Sequence, residues 1–211
     1  MRWWLCTLVF IACKNGEPDV DAESDADTDT DADTDTDTDV DTDFVPFALS
    51  SPDLASSAGM PREDECEFWL PAEYMCSGSN PQLVWEGVPA GATHLVLVFD
   101  DPDAGDFPHW AIYDIPVSET GLAAGISGEL ITNTPPAGAG EATNGFGYEG
   151  YLGSCPGSVH KYRWRLWAVD GPVPQPPTGQ PSNQFSQIVG FAQDHKVADP
   201  ARMCHLRGPQ Q

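Results

Sequence analysis

Leu95-Val96-Leu97-Val98-Phe99 is an unbroken run of β-branched and apolar residues, and a second apolar run, Trp110 to Ile115, follows after ten residues. Runs of this length and composition predict two buried strands. The segment between them reads DDPDAGDFPH. Pro102 removes a backbone donor and fixes its own φ, so the first strand ends there. Asp101, Asp103 and His109 are therefore expected at strand ends. A rigid sheet aims such residues at a ligand; a solvated turn whose aspartates bond local amides uses the same residue types.

The rest of the chain divides at residue 43. Every odd position from Glu17 to Asp43 is acidic, which accounts for 14 of the 33 acids and leaves 19 acids against 7 bases from Phe44 onward, a net charge of −12. That balance argues against a nucleic-acid partner, because phosphate backbones require basic patches. Lys161, Arg163 and Arg165 are the one basic cluster; on a strand they share a face and read as a solvated stripe. The Asp-Thr and Asp-Ala repeats have almost nothing to bury and repel one another, so residues 13–43 are expected to be a disordered tether. Fully extended, it would reach on the order of 100 Å. Its D-x-D-x-D pattern lacks the glycine and the closing glutamate of an EF-hand loop, which favours a spacer over a calcium site.

Residues 1–12 (MRWWLCTLVFIA) have a basic residue and a short apolar stretch, too short to span a bilayer, and are expected to be a signal peptide. Phe10-Ile11-Ala12-Cys13 resembles a bacterial lipobox, which implies a lipid on Cys13. Lys14 then favours the outer membrane over inner-membrane retention. The expected location is the cell envelope, with the domain outside the cytoplasm.

Residues 44–211 are long enough for one domain with a sizeable core. Strands are expected at Phe47–Ser50, around Leu83 and Trp85, and over His160–Val169, where Tyr162, Trp164, Leu166 and Ala168 share the core face. Leu130-Ile131 is a short strand candidate within a long connection, 116–143. Asn144 to Gly157 is glycine-rich and permits close backbone approach, but it is not a P-loop. Ser182 is a candidate cap for a helix whose apolar stripe is Phe185, Ile188, Val189 and Ala192. The residues after it show no clear pattern. Four cysteines of the domain allow three disulfide pairings. Cys66–Cys76, ten positions apart, is favoured, with Cys155–Cys204 second and free thiols the alternative.

Taken in order, the motifs resemble the phosphatidylethanolamine-binding protein family, in its bacterial Raf-kinase-inhibitor-like branch. Asn80-Pro81-x-Leu83-x-Trp85, Asp101-Pro102-Asp103-Ala104 with His109-Trp110, and Gly150-Tyr151, Gly153-x-Cys155-Pro156 with His160-x-Tyr162 carry the resemblance, which covers roughly residues 47–198. It implies a mainly β, sandwich-like domain with a central antiparallel sheet and few peripheral helices. It also implies a pocket for phosphate-like anions, including phospholipid head groups, lined by Asp101, His109, Gly153, Pro156, His160 and Tyr162. Gly105, Ser154 and Gly157 stand where the family has prolines, which predicts a looser mouth.

The chemistry of such a pocket follows from its residues. Histidines donate N–H groups and gain a proton near neutral pH, and Tyr162 adds a hydroxyl. Asp101 would orient a histidine ring, and the glycine-rich turn would offer backbone N–H groups. The expected function is a membrane-tethered, non-enzymatic module holding a small anionic ligand, with no cofactor and no metal. The alternative is a protein-binding module, such as a protease inhibitor acting through surface loops. An enzyme would use Ser154 or Cys155 with His160 and Asp101, but no oxyanion-hole signature accompanies them. A metal on His109, His160 and an aspartate matches no standard spacing.

Overall fold

The structure, a computed structural model, describes residues 45–174 and 176–209. The signal-peptide, lipidation and tether expectations for residues 1–43 lie outside the described residues. In chain order the elements are β1 (Ala48–Ser50), β2 (Ala55–Ser56), β3 (Phe68–Trp69), β4 (Leu83–Glu86), β5 (His94–Asp101), β6 (Phe107–Pro116), β7 (Gly121–Leu122), β8 (Gly140–Glu141), β9 (His160–Val169), α1 (Pro181–His195) and β10 (Ala201–Arg207). Short 3-10 turns cover Ala72–Tyr74 and Pro102–Ala104. The strands form a three-stranded sheet, β1-β4-β7, and a seven-stranded sheet, β2-β3-β10-β9-β5-β6-β8. All pairings are antiparallel except β3 with β10.

Alternation along β9 divides the molecule into layers. Tyr162, Trp164, Leu166 and Ala168 point into the core between the sheets, against Leu83 and Trp85 of β4 and Leu95, Leu97 and Phe99 of β5. Trp167 and Val169 point the other way and pack with Val96, Val98, Phe185, Ile188 and Ala192 under α1. Both faces of β5 and β9 are thus covered, which explains the continuous apolar run at 95–99. Each fully buried large apolar side chain contributes about 1.5–3 kcal/mol.

Several local expectations need correction. The disulfides are Cys66–Cys204 and Cys76–Cys155, not Cys66–Cys76 and Cys155–Cys204. Cys66 leads into β3, which pairs with the C-terminal strand β10 and so brings Cys204 to it. Leu130 and Ile131 are not a strand; they lie exposed in a turn. The patternless C-terminus is β10, an interior strand of the large sheet. The helix begins one residue earlier than Ser182, with Pro181 at its first position and no side-chain cap.

Candidate functional site

The β5–β6 pairing shifts register between Phe99 and Asp100: Phe99 faces Trp110, while Asp100 faces Pro108. His109 is the extra residue, a β-bulge. Strict alternation would send His109 to the α1 side with Ala111. The bulge re-aims it to the core side, as bulges commonly do near sites. At the end of β5 the Asp101 carboxylate caps the following 3-10 turn, accepting from Ala104 N at 3.1 Å. Its other oxygen accepts from His160 Nδ1 at 2.8 Å. His160 opens β9 and Tyr162 follows on the same face.

The fourth side is the glycine-rich segment. Leu152 N donates to His109 O at 3.0 Å, and His109 Nδ1 donates to Leu152 O at 2.8 Å. Gly153 N donates to Cys76 O at 3.1 Å, and Cys76 N to Ser154 O at 3.2 Å. A Cβ on Gly153 would sit 2.6 Å from backbone atoms of Tyr74, Met75 and Cys76, so only glycine permits this approach. The Cys76–Cys155 link closes the same junction.

The six residues Asp101, His109, Gly153, Pro156, His160 and Tyr162 meet around one cavity of about 200 Å³. Its remaining wall is apolar: Phe107 and Phe146 meet edge to face at 6.0 Å, and Phe146 is 70% exposed at the mouth. Asp103 does not line it; its carboxylate is held by Arg62 Nη1 and Lys161 N. No cluster of three or more His, Cys, Asp or Glu side chains suited to a metal occurs among the described residues.

Partner chemistry fixes the protons. A carbonyl and a carboxylate only accept, so His109 and His160 each carry a proton on Nδ1 and leave Nε2 for a ligand. Burial lowers the His109 pKa, against the opposing pull of its bond to Leu152. Burial, and then the Asp101 charge, raises that of Tyr162, which stays a phenol. Beneath the cavity lies a residue the sequence reading missed. His205 is fully buried, accepts from Trp164 Nε1 at 2.9 Å, stacks on Tyr162 at 5.1 Å and lies 3.2 Å from Ser154 Oγ. It sits on β10, so no sequence pattern marked it. Ser154 is thus tied to His205, and the Cys155 sulfur is spent in a disulfide.

Comparisons with known proteins agree with the fold. A family model described as phosphatidylethanolamine-binding protein matches residues 65–204, and the chain belongs to that family. A UPF0098 protein of Methanothermobacter thermautotrophicus is 43% identical over 108 residues, covering 48% of this chain and 68% of that one. A Mycobacterium tuberculosis protein, LppC, whose name places it among lipoproteins, is 34% identical over 154 residues, covering 70% of this chain and 67% of its own. Among solved structures, Escherichia coli YbcL, described as a member of the mammalian PEBP family, superposes with a TM-score of 0.63 at 24% identity, over 79% of this chain and all of that one. No helix of the described residues is long and apolar enough to cross a membrane.

Proposed function

We propose that this protein is an exported, membrane-tethered binding module whose His109/His160/Tyr162 cavity holds a small phosphate-like anion, free or as a phospholipid head group, without catalysing a reaction on it. The observation that carries this reading is the convergence of two histidines, each with Nδ1 already engaged, on one small cavity. In their neutral forms both rings offer lone pairs to a ligand. The Tyr162 hydroxyl can donate at any such pH, but at the two Nε2 atoms an anion is held only when a proton enters with it, either on the ligand or on an imidazole. Binding that takes up one proton weakens about tenfold per pH unit once the free imidazoles are neutral. Calorimetric titration with phosphate and phosphoethanolamine should show tighter binding at about pH 6 than at about pH 8. His160→Ala should abolish it. Equal affinity at both pH values, or an unchanged mutant, overturns the reading.

The lipoprotein relative and the Phe10-Ile11-Ala12-Cys13 stretch favour a lipid on Cys13. Two or more acyl chains would give stable anchoring. Palmitate should label the wild type and not Cys13→Ser; label retained in the variant excludes this anchor. Exposed Leu130 and Phe146 favour a protein partner as the second reading. Contact through these loops would survive His160→Ala.

A further inference from the structure

The other face of β9 carries chemistry that the anion cavity does not use. Arg163 and Arg165 leave the sheet on the α1 side. Arg165 is no solvated residue: it is only 9% exposed and its guanidinium lies 4.9 Å above the Trp167 ring. Its Nη2 donates to Asp100, but its Nε is buried with no partner. Asp100 is shared, because Arg163 also holds it through Nε at 2.9 Å and Nη2 at 2.7 Å. Arg163 further reaches Asp106, which is 68% exposed. Arg202 of β10 stands directly across from Arg165.

Three arginines thus face two aspartates, and one of those aspartates is largely in water. Around Arg165 itself the excess is positive, through Arg202 across the strand pair, in a domain where acids outnumber bases 19 to 7. Burial of a guanidinium left incompletely paired is unfavourable, and both Arg163 and Arg202 repel Arg165. Beside Arg163 and Arg165, but not Arg202, lies a cleft of about 490 Å³ that Asp100 and Asp106 also line and whose opposite wall is α1 through Ser182, Phe185, Ser186 and Val189. That volume suits a small organic ligand. It shares no lining residue with the His109/His160 cavity, since Asp100 and Asp101 point to opposite faces of β5.

We propose that this cleft is a second ligand site, for a small organic acid. Its oxyanion head, carboxylate or phosphate, lies against the Arg165 and Arg163 guanidiniums, and its apolar body lies against Phe185 and Val189. The proposal stands whether or not the first cavity binds phosphate.

The test is an NMR titration of the whole protein with benzoate and, separately, with phenyl phosphate. The signals read are the Arg165 Nε–H, the Ser182 and Ser186 amides, and the His160 ring. Benzoate or phenyl phosphate should shift the Arg165 and α1 signals saturably, and added salt should weaken the effect. Whichever probe binds tighter identifies the head group. Ser186→Glu places a carboxylate at an exposed position on the mouth, so the fold is kept and affinity should fall about tenfold, equivalent to about 1.4 kcal/mol. Arg165→Met leaves Asp100 paired with Arg163 and should remove the response of the Ser182 and Ser186 amides. The proposal is overturned if neither probe moves the Arg165 and α1 signals, even where phenyl phosphate moves the His160 ring, or if Ser186→Glu responds as the wild type does.

Discussion

Replacing Cys155 by serine is expected to lower the unfolding free energy by about 2–5 kcal/mol and to weaken anion binding at the His109/His160 cavity as well. The Cys76–Cys155 link joins residues 79 apart. Closing a loop of that length removes much of the conformational freedom of the unfolded chain. Against a total stability typically of about 5–15 kcal/mol, this is a large fraction. The effect on the cavity is local. Cys76 sits at φ 49°, in the left-handed region that a residue with a Cβ rarely adopts. Its hold on Gly153 and Ser154 consists of two backbone hydrogen bonds and this link. Cys155 and Pro156 form the cavity wall immediately beyond. The second link, Cys66–Cys204, spans 138 residues and should contribute a comparable stability, but neither of its cysteines lines the cavity. Urea unfolding followed by tryptophan fluorescence, with a phosphate titration of each variant below its transition, separates the two. Cys155→Ser should lose stability and affinity together; Cys204→Ser should lose stability alone. Equal loss of affinity in both variants would falsify the local role given to Cys76–Cys155.

How far the sequence announced this architecture depends on the range of the interaction involved. The strands at 94–101, 107–116 and 160–169 are written in local alternation and apolar runs, and the helix at 181–195 in its apolar stripe. The six cavity residues came from motif resemblance, and they do converge. What local pattern does not carry is register. The bulge that turns His109 inward depends on how β6 pairs with β5, and no residue of β6 declares it. The disulfide pairing failed for a related reason. Ten residues between Cys66 and Cys76 suggested a local loop, but the parallel β3–β10 pairing brings Cys204 from the far end of the chain. Arg165 read as a surface residue because its neighbours on the sequence are basic. Its burial is imposed by α1, which packs over that face from outside the motif. His205 was invisible because β10 alternates weakly, with Arg202, Cys204 and Leu206 on one face and Met203 and His205 on the other.

Below about pH 6.5 the protein should lose stability steeply, by up to about 2.7 kcal/mol per pH unit, because two histidines are buried neutral. His109 and His205 both have pKa values lowered by burial, His205 well below the ordinary value of 6.5. Above that value the imidazoles are neutral in folded and unfolded chains alike, and pH does not affect stability through them. As pH falls below it, the unfolded chain takes up a proton on each, while the folded chain does not until its own lower pKa is reached. The unfolded state then binds more protons, and each histidine contributes a slope of about 1.4 kcal/mol per unit. The two differ in what protonation would break. His109 Nδ1 already donates to the Leu152 carbonyl, and that bond survives in the imidazolium. His205 Nδ1 accepts from the Trp164 indole, which only donates, so an imidazolium there would lose its partner and stand as an unpaired charge in the core. The His205 part of the slope should therefore extend further into acid. Urea midpoints measured from about pH 7.5 to about pH 5 bracket the onset and lie above the range where ordinary carboxylates titrate. In His205→Asn the absolute stability will be lower, but the slope should fall by about half. A flat profile for the wild type would show that burial holds neither imidazole neutral, and an unchanged slope in the variant would show that His205 is not the source.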